Sequence, residues 1–380
     1  MELELDNTHK TFKEQIREFA DTVIAPRAKE IDESCEFPWD TWKEMGRRGL
    51  LGIQFPKKYG GAGLDTLSYA IACEEISRVC GSTGVSFAAH NSLGAYPIYL
   101  RGTEEQKQKF LIPLAKGEKI GSFGLTESNA GSDAAATETT AKLVGDKYIV
   151  NGTKRFITSG GIADTIVFTA TQDKTKGVHG ISAFIVEKGT PGFSPGNDED
   201  KLGLKGSVTS ELIFEDCEIP RENLLGKEGE GFKIFMMTLD GGRISIGAMA
   251  LGIAQAALDA SIKYVRESDQ FGKPLKKSQL IQKMVADMAT EVTAARHLIY
   301  HAAKLEDAGK EFTKEAAMAK LYASEVCMRA TNKTIQIYGL AGLTKKYPVE
   351  RFLRDAKLTE IGEGTSEIQR IVIARKILGR

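Results

Sequence analysis

Apolar positions along the chain change their period twice. Near the start, Phe12, Ile16, Phe19, Ala20 and Val23 recur at spacings of three and four, which predicts a helix with one buried face. The stretch PKKYGGAG, 56–63, breaks that pattern, and helical runs resume near 66–80 and 103–115. From residue 119 the period becomes two and turn residues multiply. KYIVNGTKRFITSG reads as β-rich, with a hairpin turn expected at Asn151-Gly152. ADTIVFTATQD, GISAFIVEKG and SELIFEDCEIP read as further strands, the last ended by Pro220. Helical spacing returns with Phe232, Phe235, Met236 and Leu239, which open a long helix running past Ala257. Met284, Met288 and Val292 mark a second helix, and Ala317, Leu321 and Val326 a third. Long helices with short connections predict an antiparallel bundle. The expected class is α+β, mostly α: a helical domain over 1–118, a barrel-like β domain over 119–225 and a four-helix bundle over 226–380.

Composition narrows the function classes. The 380 residues are 42% hydrophobic and 27% charged, as in globular proteins, and the charges balance to zero. That balance argues against nucleic acid or an anionic membrane as partner and leaves self-association unopposed. The five cysteines are odd in number and include no C-x-x-C, which points to a reducing compartment rather than a disulfide framework. The acidic start MELELDNTHKTF is unlike a targeting segment, and no run approaches the roughly 20 apolar residues of a membrane span. A cytoplasmic location is the expectation.

Several stretches admit a chemical and a plain reading. In LTEIGEGTSEIQR, 358–370, Glu363 stands alone between Gly362 and Gly364, ahead of a Ser366–Gln369 capping box. The turn aims one acid at something, or only caps a helix. GLTESNAGSD, 124–133, reads as an anion or ring-edge cradle, or as a surface loop. Phe156 and Thr158 share a strand face that could cover a planar cofactor, or are core plus rim. Asp240 and Arg243 are a ligand clamp or a surface pair at i,i+3. His297 and His301 share a helix face, but H-E-x-x-H is absent, so no metal is expected.

Taken together, GLTESNAGSD, SELIFEDCEIPRENLLG, DQFGKPL and EIGEGTSEIQR resemble the acyl-CoA dehydrogenases, and among them the short-chain, butyryl-CoA type. The resemblance runs the length of the chain. It implies the three-part fold, FAD, an acyl-CoA thioester substrate, a homotetramer and an electron-transferring flavoprotein as partner. It makes Glu363 the base that takes the α proton while a β hydride leaves for flavin N5, giving a 2,3-enoyl-CoA. By the same resemblance Phe123, Leu125, Thr126, Phe156 and Thr158 line the flavin, with Ser132 nearby toward the CoA. Phe271, Gln279, Gln336 and Gly339 belong to the FAD site, with Phe271, Gln279 and Gln336 reaching the flavin of a neighbouring subunit. Thr365 and Glu367 contact FAD beyond the base, and Asp240, Arg243 and Gly364 lie against the substrate. Some family members carry the base at the position matching Gly242, where glycine cannot serve.

The sequence departs from the family pattern at four positions. Phe156 replaces a tryptophan. Gly362 replaces a tyrosine beside the base, which implies room for a compact branched or alicyclic acyl group besides a short chain. Ser268 and Leu340 replace an arginine and a glycine where the family holds the FAD pyrophosphate. Two other readings stay open at this point: an acyl-CoA oxidase-like enzyme and a non-catalytic acyl-CoA-binding protein.

Overall fold

The predicted helical runs of the N-terminal part start at residues that cap them. The computed structural model describes residues 5–379. Asp6 accepts the His9 N–H at 2.8 Å and starts the helix Asn7–Phe19, whose buried face is Ile16 and Phe19. Asp65 does the same for Thr66–Val79, accepting the Ser68 N–H at 2.8 Å. That helix is buried almost all round because it runs between the rest of the N-terminal helices and the bundle. Beyond it, Gly81–Ala89 continues into a π-helical turn, His90–Ala95.

The middle of the chain forms one eight-stranded sheet. Its strands are β1 (Gly121–Gly124), β2 (Thr140–Val144), β3 (Lys147–Thr158), β4 (Thr165–Thr171), β5 (Ile181–Glu187), β6 (Phe193–Asp198), β7 (Thr209–Pro220) and β8 (Leu224–Leu225). The order is β6-β7-β3-β2-β4-β5-β8, with β1 added in parallel to β4. Rings from five strands meet inside: Phe168 stacks on Phe214 at 4.5 Å, Phe193 lies on Phe214, and Phe184 meets both Phe168 and Tyr148. This shared core is what makes the sheet barrel-like. The hairpin expected at Asn151-Gly152 is not there. Both residues lie inside the continuous strand β3, where the register against β7 shifts, and the reversal falls at Gly145-Asp146 between β2 and β3. Asn-Gly at a bulge carries the same residues as Asn-Gly at a turn, so the dipeptide alone misled.

The bundle consists of Gly231–Glu267, Gln279–Asp307, Thr313–Tyr338 and the shorter Ser366–Leu378. Gly231–Glu267 corrects a second expectation, because it is long and apolar enough to span a membrane. Most of its apolar stretch is buried within the protein, so its hydrophobicity is that of a core helix contacted on every side. At Gly252 the helix Thr66–Val79 comes so close that any side chain would collide with the Glu74 carbonyl.

Two carboxylates lock the N-terminal helices to the bundle. Glu74 accepts from Lys13 Nζ at 3.0 Å, Arg296 Nη2 at 2.9 Å and the Tyr300 hydroxyl at 2.6 Å. Burial pushes its carboxyl up, but Arg296 and Lys13 outweigh burial and hold it at about 2. Asp307, at the end of its own helix, accepts the Thr66 and Leu67 N–H groups at 2.7 and 3.1 Å. These contacts fix the wall that the N-terminal helices present to Glu363.

Candidate active site

Glu363 sits in the turn between the short helix Leu358–Ile361 and the helix Ser366–Leu378. The turn is built differently from the expected capping box. Thr365 is the cap, accepting the Ile368 N–H at 3.3 Å, while Ser366 is buried and its hydroxyl has no partner. Gln369 is also buried, and its Nε2 folds back to the Gly364 carbonyl at 2.9 Å and the Glu363 carbonyl at 3.2 Å. Lys320 Nζ, from Thr313–Tyr338, donates to the same Gly364 carbonyl at 2.6 Å. Held this way, Glu363 adopts φ 55, a left-handed conformation that costs a residue with a Cβ roughly 1–2 kcal/mol. Gly364, at φ 92, has no side chain to push Gln369 away; a Cβ there would lie 2.6 Å from Nε2.

The Glu363 residue is partly accessible, but its carboxyl tip is not. Oε2 is buried and has no hydrogen-bond partner. It fills the space beside Gly242, where any Cβ would overlap it, and Leu93 of the π-helical turn borders the same space. Burial drives its pKa up, and Lys320 and Arg243 restrain the rise, leaving it at about 8. Arg243 is 6% exposed, so its pair with Asp240 is no surface contact. Asp240 also accepts the Thr313 hydroxyl at 2.8 Å, and Arg243 Nε is buried without a partner. Gly242→Ala is therefore expected to displace the carboxyl and lower kcat by about 10–100-fold with little loss of stability. Steady-state kinetics beside a thermal melt checks this; a wild-type kcat would place the working carboxyl elsewhere.

The residues assigned to the flavin fall into two groups. Phe123 lies on β1, stacked on Phe235 with ring centroids 4.0 Å apart. The Ser122 hydroxyl donates to the Thr158 carbonyl at 2.6 Å, and the Arg155 N–H donates to the Thr126 carbonyl at 2.8 Å. These bonds bring Phe123, Leu125 and Thr126 alongside Phe156 and Thr158. Phe156 has φ 57, is 58% exposed, and carries the Arg155 guanidinium over its ring. An exposed ring on a strained bulge, beside an accessible threonine, is an apolar wall the chain itself leaves uncovered, and it suits a planar isoalloxazine. Ser132 is on the exposed loop leading away from Thr126. Thr365, Glu367 and Gly364 belong to the Glu363 turn.

Phe271, Gln279, Gln336 and Gly339 are not near that wall. They cluster where Gly231–Glu267 ends, Gln279–Asp307 begins and Thr313–Tyr338 ends. Gly242 and Glu267 lie on one helix, roughly 38 Å apart at 1.5 Å per residue. Phe271 is fully exposed at the tip of the hairpin Asp269–Gln270/Lys273–Pro274, and Leu340 is 84% exposed. Within one chain the two groups are held far apart.

Three contributors escaped the reading of the sequence. Gln369 was taken for part of a cap, and the π-helical turn has no period that marks it. Lys320 did leave a signal: it interrupts the buried stripe Ala316, Ala317, Ala319, Ala323, Val326 and Cys327, at a spacing that faces inward.

Known proteins match along the whole chain. Three family models cover it in order: the acyl-CoA dehydrogenase N-terminal domain over residues 6–118, the middle domain over 122–217 and the C-terminal domain over 229–378. A short-chain specific acyl-CoA dehydrogenase of Clostridium acetobutylicum is 55% identical over 99% of this chain and 100% of its own. The butyryl-CoA dehydrogenase of Megasphaera elsdenii has the same fold, with TM-score 0.97 and 47% identity over all of both chains. A structure described as electron transferring flavoprotein of Acidaminococcus fermentans matches with TM-score 0.98 and 54% identity, again over all of both chains. Motifs, fold and full-length identity converge on one conclusion: the chain is a member of the acyl-CoA dehydrogenase family.

Proposed function

We propose that the protein is an FAD-dependent acyl-CoA dehydrogenase in which Glu363 takes the α proton of a short or compact acyl thioester. One observation carries the assignment: a buried carboxyl with an unpartnered oxygen, held at φ 55 and set between two buried cations, Lys320 and Arg243. A structural carboxylate is paired, as Glu74 is. This one is kept unpaired and close to neutral pH in its affinity for a proton, which suits a general base. Gln369 Nε2 engages the Glu363 carbonyl at 3.2 Å, and the backbone of the Gly364 turn is the donor proposed for the thioester carbonyl. Phe123, Leu125, Thr126, Phe156 and Thr158 would hold the flavin, which when bound supplies the acceptor for the β hydride. Asp240, Arg243 and Gly364 take the substrate, with Ser132 on its CoA side.

The remaining FAD contacts, Phe271, Gln279, Gln336 and Gly339, fit a neighbouring subunit's flavin, since their own chain holds them far from Glu363. With Leu280 and Leu343 also exposed at that end, the homotetramer supplies their cover. The likeness to the Acidaminococcus structure supports an electron-transferring flavoprotein as redox partner. Five unpaired cysteines, four of them buried, support a reducing, cytoplasmic setting. We place the domain boundaries at 118 and 225, next to the last N-terminal helix, ending at Ala115, and the last strand, ending at Leu225.

The acyl group is read from Gly362. Its backbone, φ −64 and ψ 152, suits any residue, and the atoms nearest a Cβ there belong to Leu358, at 3.5 Å or more. Gly362→Tyr is thus expected to fold and to fill the space beside the base. It should lower kcat/KM for branched and alicyclic acyl-CoA by about 10-fold or more, with butyryl-CoA little affected. Anaerobic bleaching of the flavin by each thioester measures this, and equal losses on all of them would remove Gly362 from the specificity argument.

A further inference from the structure

Lys320 is wholly buried, 0% exposed, yet no carboxylate lies within ion-pair distance of it among the described residues. Its one hydrogen bond goes to a neutral acceptor, the Gly364 carbonyl. A buried ammonium with one neutral partner is a costly arrangement, tolerated where the charge has a use. The other buried lysine, Lys154, shows the ordinary solution: it pairs directly with Glu127 at 2.6 Å.

The geometry points to Lys320 as a positioning residue for the base: it anchors the Glu363–Gly364 turn and supplies the positive charge that lets the unpartnered carboxyl ionise. This rests on Glu363 being the base. The anchor is direct, because Lys320 and Gln369 share the Gly364 carbonyl and thereby hold the residue before it at positive φ. The charge acts through space, and each group facing the carboxyl bears on it. From Thr313–Tyr338 comes Lys320. From Gly231–Glu267 comes Arg243, whose charge is already committed to Asp240. From Thr66–Val79 come Tyr69 and Cys73, both neutral and themselves pushed up by burial and by Glu363. On the turn's own segment, Glu360 and Glu367 act on Lys320. Lys320 is therefore the one uncommitted cation among these groups. Burial lowers its own pKa and Glu363 draws it back up, to about 8.

The test uses the flavin-loaded tetramer carrying Lys320→Met or Lys320→Gln. The glutamine keeps a donor for Gly364 without the charge. Flavin absorbance and a thermal melt report folding for each. If the proposal holds, the pH at which kcat/KM reaches half its maximum moves up by about one unit or more in both variants. Activity at pH 7 then falls about 10-fold or more and recovers in alkali, and the methionine variant loses additional kcat at every pH because its turn is unanchored. A readout independent of turnover is the carboxylic C=O infrared band that Glu363→Gln removes; its titration should shift upward with Lys320→Gln in protein stripped of flavin. An unmoved pH profile and an unmoved band in a folded variant would overturn the proposal, even with a lowered rate. If Glu363→Gln itself remains active, the assignment of the base fails instead, so the two failures are distinct. Should the methionine variant fail to fold, the glutamine variant decides alone.

Discussion

Glu363→Gln is expected to lower kcat by about 10³–10⁴-fold while the flavin stays bound and the thioester still binds. The amide has nearly the shape of the acid and fits the same space beside Gly242, so only the proton acceptor is removed. The variant should also be more stable than the wild type in alkali. The folded carboxyl titrates at about 8, against 4.5 for an ordinary glutamate. Between those values the folded protein holds a proton that the unfolded chain has released. Raising the pH through this window therefore favours unfolding, and the penalty is complete above about pH 8. It amounts to about 2–4 kcal/mol, discounted for water entering on unfolding fluctuations. Glutamine removes it. Denaturation of both proteins at pH 5 and at pH 9 checks the sign: the variant's advantage should be large at pH 9 and small at pH 5. A variant that keeps wild-type turnover, or that loses stability at pH 9, would mean the carboxyl is structural.

The same residue illustrates what was legible in the sequence. Glu363 between two glycines announced an exposed backbone turn and an aimed acid, and the family motifs said what the acid does. The strain at φ 55 was not readable, because it depends on Lys320 and Gln369 reaching one carbonyl from two different helices. Helices were the easiest part, since Phe232, Phe235 and Leu239 or Met284, Met288 and Val292 repeat with a local period. The sheet was harder. Asn151-Gly152 carries turn chemistry, and only the pairing with β7 shows that it is a bulge. Asp240 and Arg243 were readable as a pair from their spacing, but their burial is a property of the helices packed over them. The far-end set, Phe271, Gln279, Gln336 and Gly339, was found by motif alone, and the single chain gives it no partner at the base.

Glu127→Ala is expected to destabilise the β domain by about 3–5 kcal/mol. Glu127 was read only as one letter of GLTESNAGSD, yet it holds that loop in place. Its carboxylate accepts the Glu138 N–H at 2.6 Å and the Thr139 N–H at 3.2 Å, and it pairs with Lys154 Nζ at 2.6 Å. Burial raises the Glu127 carboxyl, but Lys154 and the loop donors outweigh burial and bring it below its usual range. Lys154 is 0% exposed, with further acceptors in the Leu125 carbonyl and the Thr169 hydroxyl, each at 3.2 Å. Removing the carboxylate leaves a buried ammonium without a counter-charge and two loop N–H groups without an acceptor. Urea denaturation followed by tryptophan fluorescence and flavin release measures the loss. The companion variant Glu127→Gln/Lys154→Met decides the mechanism. Its amide still accepts from the loop and its thioether needs no partner, so it should recover most of the stability lost by the single variant, because a buried ion pair replaced by groups of matched shape is close to neutral. If the double variant is as unstable as Glu127→Ala, the loop owes its position to the charge itself. If Glu127→Ala is as stable as the wild type, the ammonium finds water, and the loop that carries Thr126 and Ser132 is held by something other than this pair.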